Sequence, residues 1–513
     1  MALLHSIVTV GSMTMVSRVF GFVRDILIAA TLGAGMVADV FFVAFKLPNL
    51  FRRLFAEGAF SMAFVPIFAG ILEEKGEAKA KEFADQAMGM LLGGLLVLVI
   101  VMEIAMPWAM WAFAPGFLGD TKKFELAVEL TRITFPYILL ISLVSLLAGV
   151  LNSFGKFAAA AATPILLNLC LIGALLFLVP ISKSPGHALA WGVFLAGFAQ
   201  LFWLAFHCGQ NGIWFHRPIF AMSVNAKLLL CRALPVALGA GIYQINLLID
   251  TIIASFLPEG SISYLFFADR VNQLPLGVVG VAVGTALLPL LSRQIRAGDE
   301  AAAQNSQNRA VEFSILLTLP AACALFVMAD PVVQVLFQRG AFEDVQASAT
   351  AAALAVLALG LPGYVLIKAL APGFFGRGDT ATPVKIAVVS MIVNVALSLI
   401  LMGPYLHVGI AMATAASSWL NAGVMAFVLH KRGHFVFDER LKSRLPRTFL
   451  ASTGMSLALY FATAKLAPWL GSGVELERAF ALAALVVGGL ASFAALALIS
   501  GAAEQSDVNN LRR

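Results

Sequence analysis

Charge is what this sequence has least of. Its 513 residues include only 34 Lys and Arg and 28 Asp and Glu, so 12% of the chain is charged, about half the roughly 25% of soluble domains. With 60% of its residues apolar, the chain cannot cover itself with water-facing side chains, which excludes a soluble enzyme. Cysteine is nearly as scarce. Cys170, Cys208, Cys231 and Cys323 share no metal-ligand spacing and read as small hydrophobes, excluding a structural zinc centre and a disulfide framework. The seven histidines (His5, His187, His207, His216, His407, His430 and His434) fall at segment ends or in connections. None forms an HExxH pair, and no GxxxxGK[ST] loop is present, so an ATPase is excluded on this chain. A membrane-embedded transferase would want acidic or histidine side chains on a sizeable loop, and none stands out. The first residues carry neither a basic stretch nor a small-residue cleavage site, so the first helix is expected to remain in place.

What is present is apolar sequence in long runs, broken by Gly, Pro or charge. A bilayer-spanning helix needs about 20 such residues, and fourteen segments meet this at about 5–30, 38–66, 87–112, 128–151, 158–180, 187–206, 232–256, 264–291, 310–330, 346–371, 384–402, 408–429, 447–466 and 479–500. An all-α polytopic membrane protein is therefore expected, with fourteen transmembrane helices. The connections differ in charge. Those on the side of the termini hold 20 Lys and Arg, including the runs EEKGEAKAKE and HKRGHFVFDERLKSRLPR, and the opposite side holds 6. By the positive-inside rule both termini are cytoplasmic. The same bias explains the net charge of +6 without a nucleic-acid partner.

The chain also repeats itself. DVFFVAFKLP at 39–48 and SMAFVP at 61–66 answer to YLFFADRVNQLP at 264–275 and TALLP at 285–289; FPYILL at 135–140 answers to LPGYVLI at 361–367. The offset is about 219 to 227 residues, and six helices lie in each half, so the repeat is parallel. The organisation read from this is an N-lobe at 1–206, a cytoplasmic linker at 207–231, a C-lobe at 232–429, a cytoplasmic loop at 430–446, and an appended pair with the tail at 447–513. Two-lobed membrane proteins of this kind place their site between the lobes and work by alternating access.

Eight cations remain at or near membrane depth: Arg18, Arg24, Lys46, Arg52, Arg53, Arg132, Arg270 and Lys368. Ionisable groups there are costly and mark function unless they lie near an interface, as Arg132 does. The spacings Arg18 to Asp25, Asp39 to Lys46 and Lys46 to Arg53 are each seven, placing the members of each pair near one helix face and away from lipid. Pro48 can rotate Arg52 and Arg53 off that face. Arginine offers a fork that matches phosphate or carboxylate oxygens and stays charged, so Arg18, Arg24 and Arg270 point to an anionic, phosphorylated substrate. The competing reading makes Arg24 with Asp25, and Asp269 with Arg270, internal ion pairs or gates. Asp250 is separate. In mid-segment with Asn246 one turn away, it needs a partner, either Lys368 or a Na⁺ or H⁺ held with Asn394, Ser398 and Thr414.

The runs SMTMVSRVFGFVRDILIAATLGAG and ADVFFVAFKLPNLFRRLFAEGAFSMAFVPIF closely resemble the signature of the MurJ (MviN) family, the bacterial lipid II flippases of peptidoglycan synthesis. The likeness continues through ASFLPEGSISYLFFADR and LAPGFFGRGDTATPVKIA and covers essentially the whole chain. It implies the multidrug/oligosaccharidyl-lipid/polysaccharide exporter fold, with the appended helices as a groove for the polyprenyl tail. It implies a transporter in the bacterial inner membrane whose partners are lipid II and membrane lipids, with other cell-wall synthesis proteins as further candidates and a monomer as the expected state. Carried over residue by residue, it makes Arg18, Arg24, Arg270, Lys46, Arg52 and Asp39 substrate-binding, and Ser17, Asp25, Ser263 and Asp269 the gate with Arg24 and Arg270. Asp250, Asn394 and Thr414 match positions where some members hold sodium, but Ser398 stands where a second carboxylate would complete that site. No cofactor is expected; sodium, a proton or the membrane potential would drive the cycle. An exporter of another polyprenyl-linked oligosaccharide would keep the arginines, whereas an ion-coupled drug antiporter of the same fold would want an acidic cavity.

Overall fold

The computed structural model describes residues 2–52, 60–213, 219, 225, 227–233 and 248–504. No β-strand occurs among the described residues. The chain divides into two compact units, the first formed by Met1–Ser263 with Arg339–Phe342 and the second by Tyr264–Gln338 with Glu343–Arg513.

The first unit contains α1 (Ala2–Leu32), α2 (Met36–Phe51), α3 (Ser61–Phe113), α4 (Thr121–Thr134), α5 (Tyr137–Ser153), α6 (Phe157–Gly173) and α7 (Pro185–Gln210). Local chemistry sets the ends. Gly33, at φ +64°, closes α1 with its amide on the Ala29 carbonyl, a position that favours glycine. The Asp120 side chain accepts from the Lys122 and Lys123 amides and starts α4, as an N-cap carboxylate does. Within the unit α1 packs on α6, α2 on α4, α3 on α5, and α5 and α6 on α7. Stacked rings of Phe60, Phe64, Phe68 and Phe83 line the α3 contact, with centroids 5.3–5.5 Å apart.

The second unit takes α8 (Ser261–Pro275) from Tyr264 onward, then α9 (Val281–Arg296), α10 (Glu300–Val327), α11 (Ala329–Phe337), α12 (Asp344–Phe375), α13 (Ala381–Lys431), α14 (Glu439–Leu470) and α15 (Glu475–Ser500). A single wide turn at Leu276–Gly280 separates α8 from α9. The core is apolar, built on Leu366, Phe374, Met425, Leu429, Phe435 and Leu441. The appended helices α14 and α15 pack on one another, and α14 packs on α10.

Eight helical stretches among the described residues are long and apolar enough to cross a bilayer. Two of them, α3 and α13, hold 53 and 51 residues, about 75–80 Å of helix against a core of about 30 Å. Each is broken once, at Gly76 (φ +79°) and at Leu406 (φ +52°), where the sequence predicts one span to end and the next to begin. The predicted span 38–66 divides between α2 and the start of α3, and Arg53 and Glu57 lie outside the described residues. The span 128–151 is α4 and α5, separated at Phe135–Pro136 because proline cannot donate to the ladder. Most of the span 232–256, including Asn246, and part of the linker also lie outside the described residues.

Candidate functional site

Arg24 is the most firmly positioned cation of α1. Its Nε and Nη2 donate to Asp25 Oδ1 at 3.0 and 2.7 Å, and Nη1 donates to Asn168 Oδ1 on α6 at 2.9 Å. Asn168 in turn donates from Nδ2 to the Ser17 carbonyl at 2.9 Å. Arg24, Asp25 and Asn168 are all buried. A buried guanidinium with these partners is held in one orientation, and charge-assisted bonds of this kind are about twice as strong as neutral ones. Arg18, seven residues earlier, is exposed and pairs with no described residue. The shared face expected for Arg18 and Asp25 thus has one open end and one closed end.

Asp39, on α2, is buried and its carboxylate is densely satisfied. Oδ1 accepts from Ser263 Oγ at 2.7 Å and the Ser263 amide at 2.9 Å, and Oδ2 accepts from the Gly260 amide at 2.8 Å. Lys123 Nζ, which also lies 4.4 Å from the Phe117 ring centroid, is 3.4 Å from Oδ2. The amides belong to the first turn of α8, so a carboxylate from a helix 221 residues away in sequence supplies its N-cap. Glu259 does the converse, accepting from the Met36 amide at the start of α2.

Lys46 donates to Thr251 Oγ1, and Arg52 Nε donates to Asn49 Oδ1 at 3.1 Å. Two glycines bring backbones together in the same unit. A Cβ on Gly116 would lie 2.2 Å from the Ser255 carbonyl oxygen, and the Gly116 amide bonds Ser255 Oγ at 3.0 Å. A Cβ on Gly340, at φ +57°, would lie 2.3 Å from the Ala30 oxygen that accepts from the Ala341 amide.

Arg270 belongs to the second unit. It is half-buried, its guanidinium carbon 5.1 Å from the Phe266 ring centroid, while Asp269 is exposed and accepts from Gln273. Asn394 and Ser398 are buried one turn apart on α13, and the Thr414 hydroxyl donates to the Ile410 carbonyl at 2.8 Å. Asp250 lies in the first unit, in a short helical stretch at 248–254, and Asn394 and Thr414 lie in the second. Lys368, also in the second unit, packs its Nζ against Gly280. Among the described residues, no group of three His, Cys, Asp or Glu side chains is placed to hold a metal.

Of the residues singled out from the sequence, the first unit holds Ser17, Arg18, Arg24, Asp25, Asp39, Lys46, Arg52, Asp250 and Ser263, and sequence reasoning misses their partners Asn168, Lys123, Thr251 and Glu259. Asn168 could have been found, since a lone amide in the apolar run of α6 is itself costly at membrane depth.

Solved structures share the fold. The fold matches a structure described as lipid II flippase MurJ in an inward closed conformation, with a TM-score of 0.78 at 24% identity over 99% of this chain and 100% of that one. It also matches an inward-facing multidrug resistance MATE family transporter of the MOP superfamily, with a TM-score of 0.66 at 14% identity over 83% of this chain and 97% of that one. The fold is shared with both structures. The profile of the family described as Lipid II flippase MurJ matches residues 28–480. A probable lipid II flippase MurJ of Rhizobium meliloti is 46% identical, over 99% of this chain and 95% of that protein, and one of Rhizobium tropici is 43% identical, over 100% and 96%. The lipid II flippase MurJ of Burkholderia cenocepacia is 38% identical, over 84% of this chain and 85% of that protein. The chain belongs to the lipid II flippase MurJ family, a family of transporters rather than enzymes.

Proposed function

We propose that this protein moves lipid II, a polyprenyl-pyrophosphate-linked peptidoglycan precursor, from the cytoplasmic to the periplasmic leaflet of the bacterial inner membrane. The observation that carries the reading is near-full-length identity of 43–46% to relatives so named. The cation set adds its chemistry. Arg18, exposed and without a partner among the described residues, meets the pyrophosphate first in this reading, and Arg24 is a preset fork whose bond to Asp25 a phosphate oxygen can exchange. Lys46, Arg52 and Arg270 supply further positive charge, and Asp39 holds the first turn of α8 in place.

In this reading the chain crosses the membrane fourteen times, as two six-helix lobes and an appended pair, with both termini cytoplasmic. The polyprenyl tail stays in lipid along α14 and α15, whose outward faces expose Phe449, Leu450, Phe480, Val487 and Leu490. Ser17, Asp25, Ser263 and Asp269, with Arg24 and Arg270, form the gate. An ion at Asp250, Asn394 and Thr414, or the membrane potential, resets the cycle; one charge crossing 100 mV is worth about 2.3 kcal/mol.

The test is periplasmic accessibility of labelled lipid II in a flippase-depleted bacterium. Restoration by this chain, lost in Arg24→Ala, is expected; no change in accessibility with or without the protein refutes the reading.

A further inference from the structure

On the outer edge of the first unit, remote in sequence from the α1 and α2 cations, a cleft of about 930 Å³ opens between α4 and α7. Its size is that of a small-molecule site, and its polarity is ordered along the helices. On α4, Glu125, Glu129 and Arg132 share one wall; a rise of 1.5 Å per residue sets Glu129 about 6 Å and Arg132 about 10 Å below Glu125. On α7, His187, Trp191 and Leu195 recur every four residues and make the opposite wall.

The two walls are fixed to each other at one level. Glu129 Oε1 accepts from Lys183 Nζ at 2.9 Å and lies 3.2 Å from His187 Nε2, while His187 Nδ1 meets Ser184 Oγ at 2.8 Å. Below that level Arg132 donates through Nε to the Glu103 carbonyl at 3.1 Å, with the Glu103 carboxyl within reach of its charge. Below Arg132 the wall is apolar, with Trp191 and Leu195 about half exposed. Glu125 is exposed and has no partner among the described residues.

Along α4 the order is Glu125, then Glu129 with Lys183 and His187 on it, then the Arg132 guanidinium, with Trp191 and Leu195 following on α7. We propose that this cleft binds a zwitterionic phospholipid of the phosphoethanolamine type. Its ammonium lies on Glu125 and Glu129 at the rim, its phosphate on Arg132 with Lys183, and an acyl chain along Trp191 and Leu195. The charges complement that headgroup in sign and order. Two carboxylates and two cations balance one another, and a headgroup whose positive end is outermost meets the carboxylates first. An anionic headgroup without an ammonium would meet Glu125 with the wrong sign.

The full-length detergent-solubilised protein is examined by native mass spectrometry with equal amounts of phosphatidylethanolamine and phosphatidylglycerol. Wild type should retain phosphatidylethanolamine about tenfold over phosphatidylglycerol, the discrimination that a charge-assisted contact supplies. Glu125→Gln with Glu129→Gln should abolish the preference, and Trp191→Ala should weaken retention of both lipids. Glu125→Gln alone, at an exposed position, should reduce the preference without moving the unfolding midpoint, which separates headgroup recognition from misfolding. Equal retention of the two lipids by wild type, or an unchanged preference in the double variant, overturns the proposal. So does finding that a co-purifying membrane protein occupies this face with no lipid preference.

Discussion

Asp39 and Glu259 cap each other's helices: the Asp39 carboxylate takes the Gly260 and Ser263 amides at the start of α8, and the Glu259 carboxylate takes the Met36 amide at the start of α2. The two caps are unequal. Asp39 is buried with Lys123 beside it, whereas Glu259 is exposed. Removing one member of a buried pair leaves the other uncompensated, so Asp39→Ala should cost about 3–5 kcal/mol, while Glu259→Gln should cost about 1 kcal/mol or less, as an exposed cap does. Adding Lys123→Met to Asp39→Ala should recover part of the loss, because no charge is then stranded. Unfolding midpoints of wild type and the three variants check this; equal losses for Asp39→Ala and Glu259→Gln would show that burial of the pair is not what counts.

Arg24→Lys should fail to restore transport. Lysine keeps the charge but cannot reach Asp25 and Asn168 together through a planar fork. Asn168→Leu, which removes the amide while keeping bulk, should lower transport with normal expression, since Arg24 then loses a positioning partner. Complementation of a depleted strain, with immunoblotting for protein level, is the measurement. Growth of the Arg24→Lys strain like wild type would show that charge alone suffices.

The close backbone approaches at Gly116 and Gly340 give a third prediction. Alanine at either site places a Cβ within 2.3 Å of a carbonyl oxygen, and Gly340→Ala adds the strain of a positive φ. Each should cost about 2 kcal/mol or more. Gly298, at φ +75° with nothing within 4 Å, is the control. Its alanine variant should lose only the strain, about 1 kcal/mol, so the difference in midpoints isolates the contact.

Two groups outside the spans set a pH dependence. His434 is held below its ordinary 6.5 by burial and by the nearby Arg377. The unfolded chain therefore takes up the proton first, and stability falls as pH drops below about 6.5. Asp379 is held well below the ordinary 3.8 by the Thr382 hydroxyl and by Arg432, whose Nη1 lies 2.6 Å from its Oδ2. Its contribution is present above about pH 3.8 and is lost as pH falls further. Midpoints recorded from pH 8 to 3 should decline less in His434→Gln over the first window and less in Asp379→Asn over the second.

Helices were legible because apolar run length is a local signal. The cations of α1 and α2 stood out for a related reason, since a charge at membrane depth is conspicuous against 60% apolar sequence. What was not legible is pairing across the chain. Lys123 counts as a connection charge by position, and only the fold places its amine at Asp39. Glu259 looks like a turn residue until the start of α2 lies against it. Run length also conceals breaks inside a run, so the span 128–151 reads as one helix although α4 and α5 are separate.

In the second unit, Glu312 of α10 is buried and shared by three arginines: Arg309 on its own helix, and Arg440 and Arg444 on α14, the last at 2.6 Å. Arg444 also reaches Glu504 beyond α15 at 2.6 Å, and Arg309 reaches Asp438, which caps α14. The appended helices are therefore moored to α10 by charge as well as by apolar contact, and separating them would strand ions in a low-dielectric setting. On the proposed function, a hydrocarbon tail resting against α14 and α15 rides with the second unit, because these ion pairs make the appended helices part of it.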